Sequence, residues 1–251
     1  MRLNKLLLIS LLATCAAVLH AQDDVEYRAE LGAGIGMTSY HGDFSSALIG
    51  NVQPAGAVVF RRIFNPRMAL RIAAMYTKVK GKLEDAKTVY PDLAQNGYSF
   101  SNSIGDLTTA FEYNFLPYGT GRDYRGAKRL TPFVSLGIGV TYANCPDGTL
   151  DYSKGQWTAD GTYSPEHNTT KGVFTMNIPI GFGVKYKVGS RSNIILDWQM
   201  HFSLSDRLDG IKDPYRIPSS GLFKNTDCYS TLMLSYTYNL SPKCSTCNND
   251  R

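Results

Sequence analysis

The stretch Phe174-Thr175-Met176-Asn177-Ile178-Pro179-Ile180-Gly181-Phe182-Gly183-Val184-Lys185-Tyr186-Lys187-Val188 decides the fold. Its even positions are all apolar and its odd positions are small or polar, the period-two pattern of a strand with two unlike faces. Two later runs repeat the pattern. Ile194, Leu196, Trp198, Met200, Phe202 and Leu204 alternate with Asn193, Ile195, Asp197, Gln199, His201 and Ser203. From Cys228 to Leu240 the apolar series Leu232, Leu234, Tyr236, Tyr238, Leu240 faces Thr231, Met233, Ser235, Thr237, Asn239. Each run reaches the ~10 residues that a tilted membrane strand needs.

Which face looks inward follows from where bulk and charge lie. Lys185, Asp197 and His201 share the polar face with Gly181 and Gly183, as expected inside a narrow barrel filled by small and mutually neutralising side chains. Pro179 cannot donate to the ladder, so a bulge or irregular pairing is expected there. Working back along the chain, the rule holds for 132–143, 106–115, 68–78 and 27–40, while 55–63 is apolar on both faces and is the weakest strand. That makes eight. The links 41–54, 64–67, 79–99, 116–131, 144–172, 189–192 and 205–226 alternate long and short, as outer loops and periplasmic turns do, and only 116–131 is too long for a turn. A water-soluble eight-stranded barrel would alternate along its strands but not in its links. The fold class read from the sequence is all-β: an eight-stranded antiparallel transmembrane β-barrel with an N-terminal signal peptide.

The ends of the chain fit this reading. Arg2 and Lys5 precede the apolar run Leu6–Leu12, and small residues follow up to Leu19-His20-Ala21, so residues 1–21 read as a secretory leader cleaved after Ala21. Thr14 spoils a lipid-attachment motif at Cys15. The barrel then occupies 22–240 and a periplasmic tail 241–251. Gly 23, Tyr 16 and Phe 11 against 19% charged residues suit close-packed strands with aromatic ends. No stretch after the leader approaches the ~20 apolar residues of a membrane helix, so in a membrane only a closed barrel remains.

Three pieces of sequence resemble a known family. Glu30-Leu31-Gly32-Ala33-Gly34-Ile35-Gly36-Met37-Thr38-Ser39-Tyr40-His41-Gly42-Asp43 is a glycine-spaced strand running into Tyr-x-Gly-Asp. Ser205-Asp206-Arg207-Leu208-Asp209-Gly210 follows the seventh strand, and Asn225-x-Asp227-x-Tyr229 leads into the last. Together they resemble PorG, the outer-membrane barrel of the type IX (Por) secretion system in Bacteroidetes. The late loop departs from the family's pattern, with Arg207 where an aromatic is common and Gly210 where another acid is. The resemblance implies a non-enzymatic barrel that ties periplasmic ring proteins of a secretion machine to the outer membrane.

Candidate chemistry is sparse. Gly32, Gly34 and Gly36 do not make a dinucleotide fingerprint, since no helix follows them; glycines facing a small lumen make room for side chains from across it. His201, Ser203 and Asp197 share a strand face, but residues two and four apart lie ~7 and ~13 Å apart along a strand. Asp197 therefore cannot orient His201, although another strand could supply an acid. A lipid-modifying site would also need to face the acyl chains, and His201 faces inward, so no catalytic residue is assigned. Arg28, Glu30, Arg71, Glu112, Lys185 and Asp197 read as an inward charge network that plugs the barrel. Cys244-Ser245-Thr246-Cys247 lacks the second pair of a zinc ribbon and reads as a disulfide or two idle thiols. Cys145 and Cys228 both fall near the outer rim, and the sequence leaves open whether they meet. No metal, cofactor, nucleic acid or small-molecule substrate is called for.

Charge points to partners. The periplasmic ends carry Arg61, Arg62, Arg67, Arg122, Arg125, Lys128, Arg129, Lys185, Lys187 and Arg191 against the single acid Asp123. A basic rim can hold anionic lipid headgroups or steer an acidic protein. The long link 116–131 mixes aromatic and cationic groups suited to a protein interface. Tyr118, Arg122, Tyr124, Arg125, Lys128 and Arg129 are accordingly the candidate partner-binding residues, on an arm with Gly119, Gly121 and Gly126. Taken with what the resemblance to PorG implies, the expected role is a secretion-machine anchor; the alternatives are a surface barrel acting through its outer loops and a lipid-modifying enzyme.

Overall fold

The computed structural model describes residues 27–41, 51–82, 99–118, 128–146, 148–157, 159, 163–169, 171–205, 207–212 and 227–242. The leader, the tail with Cys244 and Cys247, and residues 119–127 lie outside the described residues. Eight strands close into one antiparallel barrel. In chain order they are β1 (Tyr27–His41), β2 (Gln53–Asn65), β3 (Met68–Lys82), β4 (Ser99–Asn114), β5 (Leu130–Asn144), β8 (Gly172–Lys187), β9 (Ser192–Ser203) and β11 (Cys228–Pro242). The seam pairs β1 with β11 along their whole length, from Tyr27 opposite Pro242 to His41 opposite Cys228.

Following opposed residues round the wall gives the stagger. The path Ala29, Arg62, Leu70, Phe111, Leu136, Ile180, Met200, Ser230 returns to β1 at Ser39, ten residues beyond its start. At about 3.3 Å per residue that is a shear of roughly 33 Å against roughly 38 Å for eight strands, hence a tilt of about 41° and a wall about 16 Å across. The pairing of β5 with β8 lapses at Ile178 and Pro179 and resumes in the same register, so the proline interrupts the ladder without a bulge.

The faces fall as the alternation requires. Ile35, Val58, Leu107, Leu136, Ile180, Leu196 and Leu234 are exposed on the outside of the barrel. Phe64, Phe115, Tyr186, Tyr236 and Tyr238 are exposed toward the periplasmic ends, and Tyr76, Tyr142 and Phe174 toward the outer ends. This aliphatic band between aromatic girdles is the surface of an outer-membrane barrel. The turns at Pro66-Arg67 and 188–191 define the periplasmic side. On the outer side the links 144–172 and 205–226 are not wholly loop: β6 (Thr149–Trp157), β7 (Tyr163–Asn168) and β10 (Ile211–Lys212) form a three-stranded sheet.

Depth sets the cost of charge on this surface. Arg in place of outward Leu196, toward the middle of the band, is expected to cost roughly 2–4 kcal/mol, and Arg in place of Tyr186, nearer the periplasmic interface, clearly less. Urea unfolding from lipid vesicles measures both; equal costs would mean that the band is misplaced along the strands.

Candidate functional site

The lumen is the chemically densest part of the molecule, and Glu112 is its hub. β4 carries this carboxylate inward with no exposure, and three cations from three other strands converge on it. Arg61 Nε donates to both of its oxygens at 3.0 and 3.1 Å, Lys185 Nζ lies 2.6 Å from Oε2, and Arg71 Nε lies 3.4 Å from Oε1. The cluster spreads outward from there. Arg71 Nη1 reaches Asp197 at 3.0 Å, Arg61 Nη1 stands 3.8 Å from Glu30, and Lys185 also lies over the Phe133 ring at 4.6 Å.

Higher in the lumen, Asp106 organises a second cluster. Its Oδ1 accepts from Thr141 at 2.9 Å and Asn177 at 2.6 Å, while Oδ2 faces His201 Nδ1 at 3.3 Å. The imidazole is stacked flat on Tyr229, centroids 4.5 Å apart. So another strand does supply His201 with an acid, as the sequence allowed. Ser203, however, turns its hydroxyl to the Ser205 carbonyl at 3.0 Å and to Thr175 at 3.3 Å. The arrangement is a set of buried polar groups around a space of about 20 Å3, which Arg71, Asp106, Asp197 and His201 help to line. That is room for one water and not for a solute.

Both mouths are closed. At the outer end, residues 207–210 dip into the barrel and bury Leu208 and Asp209. Asn102 Nδ2 donates to the Leu208 carbonyl at 2.7 Å, and Leu208 N–H donates to Asp227 Oδ2 at 2.8 Å. The Tyr40 hydroxyl sits between two carboxylates, in a short hydrogen bond to Asp227 and 3.2 Å from Asp209. The three sequence pieces that carry the family resemblance therefore meet in one closure. Beyond it, Leu150 N–H holds the Gly210 carbonyl at 2.7 Å and starts the pairing of β6 with β10.

At the periplasmic end the plug is Tyr118. Its ring is buried and its hydroxyl donates to Asn193 Oδ1 at 2.8 Å, while Asn193 donates to Glu30 at 3.3 Å and Asn239 at 3.1 Å. Burial pushes the phenol well above its ordinary pKa. The neck of the long link is stapled: Lys128 N–H bonds the Pro117 carbonyl at 3.0 Å, and Tyr118 N–H bonds the Pro66 carbonyl at 3.0 Å.

Several expectations need correction. Tyr118 is a stopper for the lumen and is not presented to a partner. Arg61 is not a rim cation, because β2 runs on to Asn65 and places Arg61 four residues inside, where it belongs to the Glu112 cluster. Lys185 is likewise sealed inside. Arg28, expected in the lumen, is exposed at the open end of β1. Cys145 and Cys228 are free thiols and do not join. Lys128 and Arg129 do stand exposed on the rim, with Arg62, Arg67 and Arg191. Arg122, Tyr124 and Arg125 lie outside the described residues.

The barrel so built can be set beside known proteins. The chain matches DUF6089, a domain of unknown function, over residues 5–249. It belongs to the DUF6089 family. No curated protein matches the sequence. Among solved structures it is similar to Neisserial surface protein A, at 12% identity over 84% of this chain and 97% of that one, with a TM-score of 0.45. It is similar also to the attachment invasion locus protein Ail of Yersinia pestis in complex with the heparin analogue sucrose octasulfate, at 12% identity over 85% and 99%, TM-score 0.42. The outer membrane protein OprG of Pseudomonas aeruginosa is a third, at 10% identity over 86% and 99%, TM-score 0.44.

Three outcomes follow for this family member. Glu112→Ala would take from Lys185 its carboxylate partner and leave three buried cations with only Asp197 and Glu30 beside them, a loss of about 3–5 kcal/mol in urea unfolding from vesicles. Glu166→Ala on the exposed outer hairpin should change stability by less than about 0.5 kcal/mol. The Cys145 thiol, raised to about 11 by burial and by the nearby Asp209 and Asp227 carboxylates, holds its proton at pH 8. Alkylation there needs thiolate, so peptide mapping of the folded barrel should find Cys145 labelled at least ~100-fold more slowly than after unfolding, with the gap narrowing toward pH 11.

Proposed function

We propose that this protein is a non-enzymatic outer-membrane barrel that anchors or helps to assemble a protein-secretion machine, as an accessory component of type IX secretion, through its periplasmic face. The observation that carries the reading is the sealed lumen. A barrel that neither conducts nor encloses a substrate acts through what its ends present. The periplasmic end presents Arg62, Arg67, Lys128, Arg129 and Arg191, with no exposed carboxylate among the described residues of that rim. Such a field steers an acidic partner, and periplasmic ring proteins are the partners that the resemblance to PorG implies.

The 119–127 arm is the docking element in this reading, with Arg122, Tyr124 and Arg125 on it and Lys128 and Arg129 at its base. Tyr118 anchors the arm to the lumen and makes no contact with the partner. The outer sheet of β6, β7 and β10 favours a second reading, in which the barrel serves adhesion or membrane stabilisation from its outer face.

Changing Arg122, Arg125, Lys128 and Arg129 together to Ser should leave the heat-dependent gel shift of the folded barrel intact, since Lys128 and Arg129 stand exposed and the cations around Glu112 are untouched. It should weaken co-purification of periplasmic ring proteins from detergent-solubilised envelope and make the residual binding less sensitive to salt. Unchanged recovery of the same partners would reduce the basic rim to a contact with lipid headgroups. Deletion of the gene with export intact would favour the outer-face reading.

A further inference from the structure

The outward face of β3 changes character abruptly toward its outer end. Below, Leu70, Ile72 and Ala74 face the lipid; then come Tyr76, Lys78, Lys80 and Lys82, all exposed. Lys78 lies ten residues beyond Met68, the first residue of the strand. At about 3.3 Å per residue and a tilt of about 41°, that is about 25 Å along the barrel axis, the height of the apolar band of an outer-membrane barrel. The lysines therefore begin where hydrocarbon ends.

The neighbouring strand completes the surface. Lys78 stands opposite Ser103, Lys80 opposite Ser101 and Lys82 opposite Ser99, so three ammonium groups and three hydroxyls form paired rungs on one face. Like charges two apart on a strand face repel, and no described acid shares the outward face of β2, β3, β4 or β5 to relieve them. Solubility alone does not need such an arrangement at a lipid boundary; a row of anions lying on it would offset the repulsion.

A second observation sits directly beneath. Tyr76 is 61% exposed and is flanked across the ladder by Gly56 on β2 and Gly105 on β4. At both glycines an added Cβ would meet nothing within 4 Å, whereas inward Gly183 would meet the Leu196 carbonyl at 2.4 Å. Neither outward glycine is required by close packing, and neither has a positive φ. What their bare backbone does is leave an open slot on each side of the Tyr76 ring, just below the Lys78–Ser103 rung.

We propose that this face is a seat for a phosphorylated glycolipid of the outer leaflet. Its phosphates lie along Lys78, Lys80 and Lys82 and take hydrogen bonds from Ser99, Ser101 and Ser103. Its sugar and the first carbons of its acyl chains enter the slots beside Tyr76. Lysine suits this task as a flexible point charge that follows a mobile phosphate, and tyrosine suits the headgroup level.

The test uses the full barrel refolded in mild detergent, with a bisphosphorylated lipid A, its dephosphorylated form and a soluble sulfated oligosaccharide as probes, and native mass spectrometry as readout. The wild type should hold the bisphosphorylated glycolipid at least about tenfold more tightly than the dephosphorylated form. K78S/K80S/K82S should erase that preference, and K78R/K80R/K82R should keep most of it. G56V/G105V, which costs the fold no contact, should weaken glycolipid binding severalfold with the heat-dependent gel shift unchanged. Equal binding of the two lipid A forms, or full binding by the serine variant, would overturn the proposal. So would a sulfated oligosaccharide bound through the same lysines as tightly as lipid A and indifferent to the glycine substitutions, which would make the row a receptor for an external polyanion.

Discussion

In hydrocarbon every peptide N–H and C=O must find a partner within the protein, and this requirement is met here by the seam between β1 and β11. Without it the first and last strands would each expose an unpaired edge to lipid. Glycine makes the seam tight on the inside. A Cβ on Gly36 would lie 2.1 Å from the Leu232 carbonyl, so β1 can approach β11 only with hydrogen there. The stagger at which the seam closes then fixes the wall, and a wall about 16 Å across has no room for bulk solvent once both sides carry side chains. Closure of the backbone thus decides that the interior is a core.

It is a polar core, which imposes its own rule. A buried ion is tolerated only when opposite charge and hydrogen bonds surround it. Glu112 meets that rule with cations from β2, β3 and β8: Arg61 and Arg71 stand opposite each other on one hairpin, and Lys185 comes from far along the chain. Asp106 meets it with neutral donors and an imidazole. Such a core holds the strands in one register, because a slip of one residue would turn every inward charge to the lipid. It also fills the lumen, leaving beside Arg71, Asp106, Asp197 and His201 a space of about 20 Å3.

The parts of this structure that were legible in the sequence are those governed by period two. The outward apolar series, the inward positions of Glu30, Arg71, Glu112, Lys185 and Asp197, and the short turns follow from alternation alone. What alternation does not carry is distance round the wall. That Asp106 would face His201 depends on the stagger between β4 and β9, strands far apart in the chain. Arg61 and Arg62 are adjacent, so one must enter and one must leave, and a strand end placed two residues early put both on the rim. Tyr118 resembled an interface residue because an aromatic in a long cationic link usually is one; its partner, Asn193, comes from another strand. The segment Thr149–Trp157 pairs with β7 through a register shift between Asp151 and Gln156, so no regular period of two ran along it to be read.

The two mouths are closed by different means, and the difference gives the barrel a direction. The outer closure is made by backbone: Leu208 is bonded through its N–H to Asp227 and through its carbonyl to Asn102, which ties 207–210 to β4 and to the start of β11. The periplasmic closure is made by one side chain, Tyr118, that belongs to the base of a long link. The first can loosen only by breaking several buried hydrogen bonds together, while the second is the first fixed point of the 119–127 arm. From the Pro117–Lys128 neck the contacts run through Tyr118 and Asn193 to Glu30 and Asn239 on the seam strands. Glu30 and Asn239 stand opposite each other across that seam, so the periplasmic closure is tied to the same strand pair that closes the backbone of the wall.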